Sequence, residues 1–177
     1  MTLTTLGWLF TAGVLLHNAE EAISLPTWAA RVVRWPVRVG NGEFRFAALA
    51  QSLSLIVLAA AAFLSGAGSI AAYIFSGYVF AMIVNVFAPH VFATVALRQY
   101  MPGTATALLL NLPLGVLFLQ RALAEGFVVR DDLLWSAPVT ALLILLSIPI
   151  LFAAGRRFCA RYPGALGSNR RESNHNA

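Results

Sequence analysis

The sequence predicts an all-α protein, a polytopic membrane helix bundle of about five transmembrane helices. Three observations carry that prediction. Of the 177 residues, 59% are hydrophobic and 11% charged, with a mean hydropathy of +0.77. An ordinary soluble domain is nearer half apolar and a quarter charged, and a globule of this length has too little interior to hide so much apolar surface from water. Apolar stretches also recur at the length that crosses a bilayer, about 20 helical residues. The connections between them are short, and they carry arginine or turn residues.

Composition excludes other classes. Disorder, a disulfide scaffold and a soluble enzyme do not fit so apolar a chain. All twelve basic residues are Arg, so lysine chemistry is impossible. The lone Cys159 permits neither an internal disulfide nor a cysteine metal site.

Five spans follow in order, at residues 3–25, 44–64, 70–97, 103–124 and 132–154. The first lacks a basic leading segment and runs into His17-Asn18-Ala19-Glu20-Glu21 without a small-residue cleavage site, which argues against a removed signal peptide. The second, rich in Ala and Leu, closes at Ser65-Gly66-Ala67-Gly68, a turn signal. Only Arg98-Gln99-Tyr100-Met101-Pro102 separates the third from the fourth, so these two are antiparallel neighbours. Residues 1–155 thus form one transmembrane bundle, and residues 156–177 a basic, disordered cytoplasmic tail.

Arginine placement sets the orientation. With the N-terminus outside, Arg31, Arg34, Arg38, Arg45, Arg98 and the five tail arginines lie inside, against Arg121 and Arg130 outside. This sorting places the chain in the cell (inner) membrane with a cytoplasmic C-terminus. It also explains the +5 net charge without nucleic acid, which is not an expected partner. The partners expected are the bilayer and an amphiphilic small molecule.

Ionisable groups within a span are costly and mark functional candidates. Span one holds three within five residues. At about 100° per residue, Glu20 lies roughly 60° to one side of His17 and Glu21 about 40° to the other, so all three share one face. Span three carries Asn85 and His90 around Pro89. Pro89 has no N–H for the Asn85 carbonyl, and a kink there brings two side chains otherwise about 140° apart toward one cavity. His90 is expected level with His17 and Glu21. The bland alternative is that the glutamates face water and pair with Arg31 or Arg34. Gln51 and Asn111 are expected to hydrogen-bond neighbouring helices. Trp28, Trp35 and Tyr100 are expected to be interfacial anchors, and Gly77 and Gly115 to allow close packing.

His17-Asn18-Ala19-Glu20-Glu21, followed by Asn85, His90, Tyr100-Met101-Pro102-Gly103 and Thr106, resembles the HXXEE domain family of small bacterial and archaeal membrane proteins. The resemblance covers residues 10–150. It implies that these residues matter and leaves the reaction open.

Two imidazoles and a carboxylate suit a divalent ion, zinc or iron, with positions left for substrate or water. On this expectation His17, His90 and Glu21 or Glu20 are ligands. The remaining glutamate is a general base, and Asn85 orients a ligand or polarises the substrate. The result would be a membrane-embedded metal-dependent hydrolase or oxidative enzyme acting on an amphiphile from the cytoplasmic side. The alternatives are a proton- or ion-coupled transporter and a scaffold whose His/Glu cluster only locks helices together. No ionisable residues continue a relay through the outer halves of the spans, and five spans do not divide into two inverted repeats.

Overall fold

The computed structural model describes residues 1–32 and 40–167. Five long helices account for most of the described residues: α1 (Leu3–Arg31), α2 (Asn41–Ser65), α3 (Ile70–Leu97), α4 (Thr104–Ala124) and α5 (Arg130–Arg161). Among the described residues there is no strand. Helices α2 to α5 are long and apolar enough to cross a membrane. Helix α1 is long enough, but its polar run His17–Glu21 dilutes the apolar stretch and keeps it out of that set.

Local signals start and stop these helices. Thr2 and Ser69 cap α1 and α3, their hydroxyls accepting from the N–H groups of Thr5 and Ala72. Gly66, at φ +78°, ends α2 in the left-handed region that a side chain disfavours. Pro26 leaves the Ala22 carbonyl without its helical donor, and Arg45 supplies one from α2 through Nε at 3.2 Å. The arginine thereby ties α1 to α2.

The bundle is a ring in the order α4–α1–α2–α5–α3, with α3 also packed on α2 and α4. At the end away from the His17 site, Phe10, Phe63, Phe75, Phe118 and Phe127 meet largely edge to face around Leu6, Leu55 and Val79. Tyr73 secures the same end, donating to Asp132 and accepting from the N–H of Val129. Leu134, Trp135, Leu143, Leu146 and Ile150 of α5 stay exposed, an apolar surface suited to lipid.

Helix α5 continues through Arg161 instead of ending near 154, so the bundle extends past the expected boundary at 155. Gly155 lets α5 rest on the backbone of Glu43, and Arg156 pairs with Glu43 at 3.3 Å. The tail expected to be disordered lies, beyond 167, outside the described residues. So do Arg34, Trp35 and Arg38.

The expected roles of Gly77 and Gly115 hold. A Cβ on Gly77 would sit 2.7 Å from Thr140 Oγ1 and 3.2 Å from Ala137 Cα; one on Gly115 would sit 3.1 Å from Ile83. Gly77→Val should therefore push α3 off α5 and destabilise the fold by about 1–3 kcal/mol. The check is thermal unfolding in detergent, read by circular dichroism against wild type. An unchanged midpoint would show that this helix contact yields without cost.

Two helices depart from regular geometry at the same level. In α3 the turn Val86–Val91 widens to π geometry around Pro89, with Ala88 extended at φ −132° and ψ 108°. In α4 the turn Ala107–Asn111 widens likewise, just before Pro113. Such turns re-aim side chains and recur at functional sites.

Candidate functional site

Three helices and one loop build the site. His17 and Glu21, one turn apart on α1, project toward α3, where the irregular turn at Pro89 aims His90 back at them. The two rings meet edge to face, 4.8 Å between centroids. Glu21 bridges them: its carboxylate oxygens lie 3.7 Å from His17 Nε2 and 3.4 Å from His90 Nε2. One ligand atom from each residue falls within 4.8 Å of the others, a spacing that could hold a metal ion.

The hydrogen bonds fix the tautomer of His17. Its Nδ1 lies 3.1 Å from the Gly103 carbonyl, which can only accept, so Nδ1 carries the proton and donates. In the neutral ring Nε2 then turns its lone pair to Glu21, the arrangement usual for a metal-binding histidine. His90 is fully buried; Glu21 lies 3.4 Å from its Nε2, and the Pro102 backbone is a further polar neighbour of the ring. A cation between the three side chains would engage both rings and the carboxylate together.

Glu20 turns to the other side of the stripe. Its Oε1 accepts from the Tyr100 hydroxyl at 2.7 Å and from the Gly103 N–H at 2.9 Å; its Oε2 accepts from the Thr106 hydroxyl at 2.8 Å. Thr106 Oγ1 lies 3.1 Å from His17 Nδ1, so Glu20 reaches the cluster only through Thr106 and Gly103. With its oxygens committed to three donors, Glu20 is a clasp on the α3–α4 loop and stands apart from the His17, Glu21 and His90 ligand atoms.

That loop enters the bundle. Met101, Pro102, Gly103 and Thr104 are all buried, held by the Thr94 hydroxyl, which takes the N–H of Met101 and meets Thr104 Oγ1 at 3.0 Å. Gly103, at φ +91°, lies directly against the cluster. A Cβ there would be 2.8 Å from His90 Cε1, 2.9 Å from His17 Cε1 and 3.0 Å from Glu21 Cγ. The Tyr-x-Pro-Gly step noted in the sequence is the visible trace of this lid, but nothing in its composition says that it folds inward.

The cluster borders a cavity of about 520 Å³ between α1, α2, α3 and α5. His17, Asn18, Glu21, Gln51, Tyr78 and Asn85 contribute its polar groups, and the remaining lining is apolar. Asn85 therefore shares the cavity with His17 and Glu21, although it is not part of the three-residue cluster.

Gln51 does bond a neighbouring helix, donating to Ser147 Oγ at 2.7 Å. Asn111 does not: it is fully buried with its amide unpartnered among the described residues, lying in the space left by Gly13 of α1. Tyr100 is half-exposed and also donates its hydroxyl to Glu20; desolvation and that hydrogen bond hold its phenol above the ordinary value. Trp28 is buried against Ala93 and Met101, because the ingoing loop covers it. Among the described residues no arginine pairs with Glu20 or Glu21; Arg31 does not reach them.

Fold and site together define a class: a small polytopic helical protein with two histidines and a glutamate gathered at one end of its bundle. The chain belongs to the HXXEE family, described as proteins of unknown function with an HXXEE motif, whose family model matches residues 8–118. It is 37% identical over 153 residues to the uncharacterized protein YrkK of Bacillus subtilis (strain 168), a match spanning 82% of this chain and 92% of that relative. No solved structure is significantly similar to it.

Proposed function

We propose that the protein is a membrane-embedded, metal-dependent enzyme acting on an amphiphilic substrate, with His17, Glu21 and His90 holding one divalent ion, zinc or iron. The observation that carries this is the junction of two imidazoles and a carboxylate, with ligand atoms within 4.8 Å, at the wall of an otherwise apolar cavity. Two nitrogens and an oxygen are a donor set that zinc and non-haem iron both accept. Bound there, the ion would supply Lewis-acid activation of a substrate oxygen or of water.

The residues of the chain have distinct parts in this reading. Gly103 O orients His17 through Nδ1, and Glu20, acting through Thr106 and Gly103, fixes the loop that does so. Asn85 offers an amide to the substrate from the cavity wall. Buried Met101 and Pro102 exclude water from the loop side. Six described arginines (Arg31, Arg45, Arg98, Arg156, Arg157 and Arg161) fall at the site's end of the bundle, against Arg121 and Arg130 at the far end. By the positive-inside rule the site then faces the cytoplasmic leaflet, with the N-terminus outside.

Elemental analysis of the purified full-length protein tests the proposal. Wild type should carry zinc or iron at close to one ion per chain, and His17→Ala and His90→Ala should lose it while keeping wild-type helicity. Wild-type protein free of both metals after expression in metal-replete medium would overturn the metal centre. A transporter predicts a different result: flux into proteoliposomes driven by a pH gradient and abolished in Glu21→Gln.

A further inference from the structure

The cavity beside the cluster contains more information than its size. Its wall on α3 is the stripe Tyr78, Ala81, Met82 and Asn85, spaced i, i+3, i+4, i+7 on one helix face. Alanines do much to make the space: Ala47 and Ala48 on α2, Ala81 on α3 and Ala141 on α5 all line it. A leucine at any of these positions would fill part of it. The opening faces outward. Helices α3 and α5 touch closely where Gly77 meets Thr140, but beyond Asn85 helix α3 turns toward α4 and away from α5. Cavity-lining Val84, Leu142 and Leu145 are correspondingly exposed.

The polar groups in this space are selective in kind. No arginine lines the cavity among the described residues, although the chain has twelve. The nearest on α2, Arg45, is committed to the carbonyls of Ala22 and Leu166. Phosphate and sulfate heads are ordinarily met by arginine or lysine forks, which this cavity lacks. What the wall does offer is neutral: the Asn85 amide and the Tyr78 hydroxyl, neither of which makes a hydrogen bond among the described residues, and the Gln51 amide. An unspent amide in an apolar chamber is a group left for a ligand to satisfy.

We infer that the cavity binds a lipid-soluble molecule with an uncharged hydrogen-bonding head, entering sideways from the bilayer between α3 and α5. Its head rests on Asn85 beside His17 and Glu21, and its apolar body lies along Tyr78, Met82 and the alanine-lined wall. This names the substrate class of the metal-dependent reading above and rests on it for the reaction, but binding itself requires only the cavity.

Equilibrium binding of tritiated dodecan-1-ol, dodecyl phosphate and dodecane to the full-length protein in phosphatidylcholine nanodiscs tests it. Dodecanol should bind saturably, at one per chain and at least about tenfold tighter than dodecyl phosphate or dodecane. Ala81→Leu and Ala141→Leu should each remove saturable binding. Asn85→Leu, which keeps the cavity nearly the same size, should bring dodecanol down to the affinity of dodecane. A thermal midpoint within a few degrees of wild type identifies the variants that fold, and any one of the three suffices for the comparison. Dodecyl phosphate binding as well as dodecanol would overturn the inference, as would the absence of saturable binding or binding indifferent to the folded variants. Metal analysis of the same samples separates the two proposals. Dodecanol binding to a metal-free wild type would sink the metal enzyme and leave the cavity assignment standing, whereas metal without dodecanol binding would do the reverse.

Discussion

Gly103→Ala should empty the site of metal while leaving the helices intact. The position fails twice for any side chain. Its φ of +91° lies in the left-handed region, where a Cβ costs on the order of 1–2 kcal/mol. That Cβ would also press on His90, His17 and Glu21 at 2.8 to 3.0 Å, closer than van der Waals contact permits. Those neighbours are two rings and a carboxylate stem packed together, with no flexible chain end to move aside, so the loop must lift or the rings must part. Lifting the loop takes the Gly103 carbonyl from His17 Nδ1 and the Gly103 N–H from Glu20. Loss of one such orienting partner typically costs 10–100-fold in metal affinity, and here the ligand spacing is lost with it. Metal content below about a tenth of wild type is expected, with unchanged far-ultraviolet circular dichroism. Full metal content in folded Gly103→Ala would show that the loop does not press on the cluster.

The two adjacent glutamates should behave differently when each is made neutral. Glu21→Gln takes the only carboxylate from the three-residue cluster, and its amide is a poor ligand, so the metal should be lost outright. Glu20→Gln leaves the cluster's atoms in place. It replaces one of two acceptor oxygens with an NH₂ group that cannot take the Thr106 hydroxyl, an uncompensated polar contact costing about 1–3 kcal/mol. Metal should then be retained but held about 10–100-fold more weakly, as measured by competition with a chelator of known affinity. Faster proteolysis between α3 and α4 in Glu20→Gln, absent from Glu21→Gln, would show that the clasp on the loop had loosened. Equal loss of metal from both variants would instead make Glu20 a ligand and contradict the geometry seen here.

Much of this architecture is written along the chain. Runs of apolar residues at bilayer length determine the helices, because a backbone in hydrocarbon must satisfy its own hydrogen bonds. The positions of His17, Glu20 and Glu21 on one stripe follow from the helical repeat alone, and Pro89 must disturb α3 because it lacks an N–H. The flanking of His17 by Glu20 on one side and Glu21 on the other is likewise legible from spacing. Packing decided which flank does what. Helical periodicity gives an angle about a residue's own axis and says nothing of which neighbour stands there. Only the approach of α3 puts His90 on the Glu21 side, and only the inward fold of residues 101–104 puts three donors on the Glu20 side. Trp28 reads as interfacial for the same reason: its amphipathic ring suits a headgroup layer until the loop covers it. The cavity too is invisible along the chain. It arises where alanines of three helices face one another and α3 bends away from α5, a coincidence of positions far apart in sequence that only tertiary packing creates.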